Sequence, residues 1–146
     1  MKNLKLYHIP IVYMILYVVA LLVTGIWLFL LSQGLDSSQL LATLSKIVES
    51  PAPKSIHNFI EVATPHMFAI GTLIFVVAHF MLFSTKVSHK FSLRLSLTLF
   101  IVALLNIVAY LPIIFGLVVS GWVKLLALGL FVLLFLVLLG MVAFSL

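Results

Sequence analysis

Apolar and polar residues in this chain are segregated into long blocks. Four apolar blocks stand out, at about residues 9–31, 65–84, 93–115 and 122–146. The first two hold no charged residue, the third has Arg94 at its start, and the fourth carries Lys124 in its first turn. Crossing ~30 Å of hydrocarbon at ~1.5 Å per residue takes ~20 apolar residues in a helix. Each block is long enough. The pattern predicts an all-α integral membrane protein, a four-transmembrane-helix bundle in a single domain over residues 1–146. The spans do not repeat one another beyond being apolar.

Residues 33–64 form the only extensive polar connection, and loops of that length usually carry structure or function. Two helical patterns lie within it. Asp36 is placed to cap a helix whose Leu40, Leu41, Leu44, Ile47 and Val48 recur at helical spacing, with Ser38, Ser45, Lys46 and Glu49 on the other side. That is an amphipathic helix suited to the membrane interface. Ser50-Pro51-Ala52-Pro53 breaks it. A second short helix is predicted from Ser55, with Ile56, Phe59, Ile60 and Ala63 on its apolar side. His57 and Glu61, four apart, share its polar face. This external loop is read either as a flap packed over the bundle or as a docking surface for a partner.

Composition agrees with the block pattern. The 146 residues are 65% hydrophobic and 8% charged, and the mean hydropathy is +1.41. Soluble domains run about 45–50% apolar and about 25% charged, and a globule this small has too little interior for so much apolar surface. A soluble enzyme and a disordered chain are excluded. The net charge of +5 comes from eight scattered Lys and Arg, so no basic patch for nucleic acid exists. With no Cys there is no disulfide, iron–sulfur cluster or thiolate site.

The same charges orient the chain. Lys2, Lys5, Lys86, Lys90 and Arg94 fall on one side of the membrane; Lys46, Lys54 and Lys124 fall on the other, with Asp36, Glu49 and Glu61. By the positive-inside rule both termini are expected in the cytoplasm of a bacterial-type inner membrane. Trp27 and Trp122 then mark the outer interface, and Tyr7, Tyr13 and Tyr17 fall toward the inner one. Lys2 and Lys5 precede an apolar run as in a signal peptide. That run is longer than a signal h-region and no small-x-small site follows, so an uncleaved first span is expected.

Candidate chemistry rests on histidine. His8 and His89 lie beside basic residues at the inner surface. His57, His66 and His79 cluster in one stretch. Thr64-Pro65 reads as a helix start, which puts His66 in a first turn where the positive end of the helix disfavours the imidazolium. A neutral ring with a free lone pair can ligate a metal or haem iron, and His57 and Glu61 just upstream are candidate co-ligands. His79 lies 13 residues on, ~20 Å further along the helix, among Phe75, Phe80 and Phe83. Ionisable groups inside spans are costly and point to function. Asn106 and Tyr110 are the in-chain candidates for its hydrogen bonds, while Phe68, Thr72, Phe75, His79 and Phe83 make an aromatic stripe beside Gly71.

Pro65-His66-Met67-Phe68-Ala69-Ile70-Gly71, with Phe75 and His79-Phe80 after it, resembles the haem-bearing helix of membrane b-type cytochromes. It also resembles helices of small bacterial membrane proteins and haem–copper-type subunits. The resemblance covers about 25 residues, and it implies haem b held by His66 and His79, each on a different haem. Such helices commonly space the two His by 14, whereas 13 residues leave these rings about 140° apart on a straight helix. The four spans hold no other His. The remaining ligands must come from a second copy, a partner subunit, or Met67 or Met81.

No Walker, His-Glu-x-x-His or Gly-x-Ser-x-Gly motif is present, and no acid lies inside a span. The chain is therefore expected to have no catalytic activity of its own. The leading reading is an electron-transfer or accessory subunit of a respiratory complex, holding haem b or a metal and working as a homodimer or within a larger assembly. Two alternatives stand beside it. One is a structural subunit without cofactor. The other is a small metal-ion carrier with an entry site at His57, Glu61 and His66.

Overall fold

The computed structural model describes residues 4–35, 40–51, 55–84 and 86–145. It is all-helical over these residues. The elements are α1 (Leu4–Ser32), α2 (Leu40–Glu49), α3 (Ile56–Phe80, closed by one 3-10 turn at Met81–Phe83), α4 (His89–Val108), α5 (Leu111–Ile114) and α6 (Trp122–Ser145). Four helices are long and apolar enough to cross a membrane.

The core is built from three of those four. Helix α4 lies between α3 and α6 and makes the most extensive contacts with both. It presents Leu95, Leu99, Val102 and Ala103, at steps of three and four, to Ile74, Val77 and Met81 of α3 and to Phe131, Phe135, Leu138, Leu139 and Val142 of α6. Small residues let the backbones approach: Ser92 and Ser96 of α4 are buried, and Ser96 Oγ donates back to the Ser92 carbonyl at 2.9 Å. Between helices in lipid no hydrophobic drive operates, so fit of this kind is what holds them. Helix α1 is peripheral. Ile11 and Val18, two turns apart, are its only buried hydrophobics among the described residues.

Both ends of the bundle are tied. At the end that carries the termini, Ser84 and Ser145 share a hydroxyl–hydroxyl bond of 2.8 Å, and Lys86 Nζ donates to the Phe144 carbonyl at 2.9 Å. At the other end α2 docks on the start of α6. The Gly121 amide donates to the Val48 carbonyl at 3.1 Å. A side chain at Gly121 would collide with the Ile47 carbonyl oxygen, so only glycine permits this approach. Helix α1 ends in a Schellman turn: Leu35 N–H donates to Leu30 O and Gly34 N–H to Leu31 O, with Gly34 at φ 85°.

Four spans and an amphipathic α2 are as the sequence predicts, but several boundaries differ. Helix α1 begins at Leu4, ahead of residue 9. The short helix from Ser55 and the span from Pro65 are one continuous helix. Ser55 caps it, accepting from the Asn58 amide at 3.2 Å, and Thr64-Pro65 lies inside. Pro65 removes a single ladder bond, to the Glu61 carbonyl, a loss that membrane helices tolerate when nearby groups compensate. The third span is interrupted at Ala109–Tyr110 and resumes as α5, with Pro112 at its start. On α2, Ile47 is buried and Leu44 and Val48 partly so, but Leu40 and Leu41 face outward. The expected cap Asp36 lies outside the described residues.

Candidate functional site

The continuity of α3 fixes where its histidines point. Its core stripe runs through Ile70, Ile74, Val77 and Met81. Phe68, Thr72, Phe75, His79 and Phe83 lie on the opposite side, and all five are exposed. The aromatic stripe therefore faces away from the bundle. His79 sits between two rings, 6.1 Å from Phe75 and 5.7 Å, edge-on, from Phe83. It makes no hydrogen bond with any described residue.

Its height also differs from expectation. His79 is five residues from Ser84, about 8 Å of rise, so it lies near the end that carries the termini. Arg94 is equally far from the start of α4. Asn106 is 17 residues along α4, about 25 Å from that start. Because α3 and α4 run antiparallel, Asn106 stands near the opposite end of the bundle from His79 and does not serve it. Tyr110 is further away still.

His66 lies in the interior of α3, eleven residues from Ser55, and not in a first turn. The helix-end argument for its neutral ring therefore falls away. A different constraint replaces it. His66 Nδ1 donates to the Val62 carbonyl at 2.8 Å, which puts a proton on Nδ1 and turns Nε2 away from the helix backbone. The bond ties the imidazole back onto its own helix, one residue beyond Pro65. His66 falls about 140° from His79 around the helix. His57 and Glu61 are exposed on the first two turns, and His66 is half a revolution from His57 on the continuous helix. Among the described residues no group of three or more His, Asp or Glu is placed to hold a metal ion. Gly71 has open space around it and receives no close neighbour.

The polar side chains that the fold does bring together are elsewhere. Lys124, in the first turn of α6, donates to the Asn106 Oδ1 at 3.0 Å and also to the Asn106 carbonyl. Its ammonium stands 5.8 Å from the centre of the Phe29 ring of α1. The buried Tyr110 hydroxyl is hydrogen-bonded to the side chain of Gln33, which follows α1 and is itself buried. Thr43 of α2 is buried at the same end. An intramembrane cation of α6 is thus clothed by an amide and a carbonyl from α4 and an aromatic face from α1, at the α2 end of the bundle. Lys124 and Asn106 were legible only as residues unusual for a span. Nothing in their spacing pairs them.

No curated protein and no solved structure matches this chain. A family model does, over residues 45–146, from the second half of α2 through α3, α4 and α6. That is more than half of the sequence and takes in the whole three-helix core; on it, the chain belongs to the Aq_1264_TM family of transmembrane helical domains.

Proposed function

We propose that this is a non-catalytic subunit of a larger complex in a bacterial-type inner membrane, with both termini cytoplasmic, and that α3 offers His79, on its outer face, and His66, further along and around the helix, to a partner, each for a different haem b. The observation that carries the reading is His79. An imidazole inside a span has a donor and an acceptor to satisfy, and here it stands on the outward face with rings on both sides and no hydrogen bond from a described residue. The donor set fits a shared group. His66 offers Nε2, its ring oriented by the Nδ1–H bond to the Val62 carbonyl, and His79 offers either nitrogen. Each imidazole would hold a different haem, because the two lie ~20 Å apart along the helix, and the remaining ligand of each would come from the partner or a second copy. Haem iron at such a position would pass single electrons along the complex. The protein's own part is to orient the imidazoles and to surround them with Phe68, Phe75 and Phe83.

Purification from haem-replete cells with the partner complex intact is expected to give a b-type Soret band, and His79→Ala should abolish or sharply change it. Asn106→Ala, at the far end of the bundle, should leave it. A folded complex without Soret absorption overturns the haem assignment. The second reading, a structural subunit without cofactor, then takes its place. It has its own support, because one ring nitrogen of His66 is already engaged by the Val62 carbonyl of its own helix.

A further inference from the structure

The lipid-facing side of α4 carries a pattern that neither the packing nor the histidines use. Lys90 and Arg94 are one turn apart on one face and both are exposed. Neither makes a hydrogen bond or ion pair with a described residue. The same face continues into the bilayer through Leu97, Ile101 and Leu104, all at least half exposed. Residues at these steps of three and four lie within about 40° of one line along the helix. The surface is thus two cations at the membrane boundary above about 10 Å of uninterrupted apolar stripe. Lys86, the nearest other cation, is already engaged by the Phe144 carbonyl and stands 5.3 Å from that ring's centre. The acids among the described residues, Glu49 and Glu61, belong to the segment at the opposite end, so no described side chain neutralises Lys90 and Arg94.

We propose that this face of α4 is a binding site for one anionic phospholipid, its phosphate held by Lys90 and Arg94 and an acyl chain lying along Leu97, Ile101 and Leu104. The planar guanidinium grips a phosphate in two places and the ammonium adds a point charge. The apolar stripe directly below the cations selects a lipid over a free anion. This inference is independent of the haem reading, since it uses no histidine and a different helix.

The test is lipid retention on the purified full chain in neutral detergent, read by native mass spectrometry with phosphatidylglycerol against phosphatidylcholine. A preference for phosphatidylglycerol is expected, and Lys90→Gln with Arg94→Gln together should lower it about tenfold, since each cation at a membrane surface contributes appreciably. Arg94→Lys should retain part of it. Both side chains are exposed, so the variants should keep the melting temperature of the parent. Three results overturn the proposal. One is a preference that survives the double substitution. Another is an equal loss on Lys46→Gln at the other end, which means diffuse charge alone. The third is displacement of the lipid by inorganic phosphate, which means a site for the free anion.

Discussion

At the scale of single residues, Gly121 and the Lys124–Asn106 pair decide how the α2 end of the bundle closes. Gly121 is buried, and its missing side chain leaves room for the Ile47 carbonyl. The obstacle is backbone, which cannot rotate aside as the tip of a side chain can. Gly121→Ala should therefore displace α2 as a unit. The expected cost is about 1–3 kcal/mol, the range for overpacking, and it should appear as faster hydrogen exchange across 40–49 with α3 and α4 unchanged. Uniform protection after the substitution would mean that α2 is not held at this point. Lys124 has a different logic. A lysine one turn inside a span is expensive unless its donors are met, and here Asn106 meets two of them with its side chain and its carbonyl.

At the scale of elements, α2 and α3 show what a sequence reading can and cannot recover. The amphipathic period of α2 is local, so its existence and its polar side were readable: Ser45, Lys46 and Glu49 are exposed, and Ser45 bonds Glu49 at 3.0 Å. How its apolar side is divided was not readable, because that depends on where α6 begins. Ile47 goes into the bundle at 2% exposure and Leu41 stays 81% exposed. The division makes a prediction. Ile47→Asp should release α2, since a carboxylate cannot replace that buried side chain without a partner. Leu41→Asp should leave the docking intact and weaken only contact with the membrane interface. Hydrogen exchange over α2 separates the two; equal effects would mean that α2 lies on lipid alone. In α3, Thr64-Pro65 has every local mark of a helix start, yet the helix runs through it. Proline signals a boundary in water, where a broken ladder can be hydrated. In a span the alternative to helix is an unsatisfied backbone in hydrocarbon, so the helix continues. That one boundary shifted the setting of His66 and joined His57 and Glu61 to the same helix. Asn106 was misassigned for another reason. Its true partner, Lys124, lies on the next span beyond a turn, and only tertiary packing brings the two together.

At the scale of the whole molecule, hydropathy alone gave the four spans, because the bilayer sets the length of any helix that crosses it. The sidedness expected from Lys and Arg is open to direct measurement. The chain has no Cys, so single cysteines at Ser50 and Ser88, both exposed, report cleanly. Ser50→Cys should react with a membrane-impermeant maleimide in intact cells, and Ser88→Cys only after the membrane is opened. The reverse pattern would invert the molecule and move Lys90 and Arg94 to the outer leaflet. The ties at the two ends have a mechanical consequence. A carrier that alternates access rocks one half of its helices against the other, parting one end while the other shuts. Here α6 is fastened to the α3–α4 link by Ser84–Ser145 and Lys86–Phe144, and to α4 by Lys124–Asn106. Every half-cycle of such a rocking motion would tear one fastening while the other held. With α6 fastened at both ends, the bundle is a strut, built to hold its length and shape across the bilayer instead of working as a hinge.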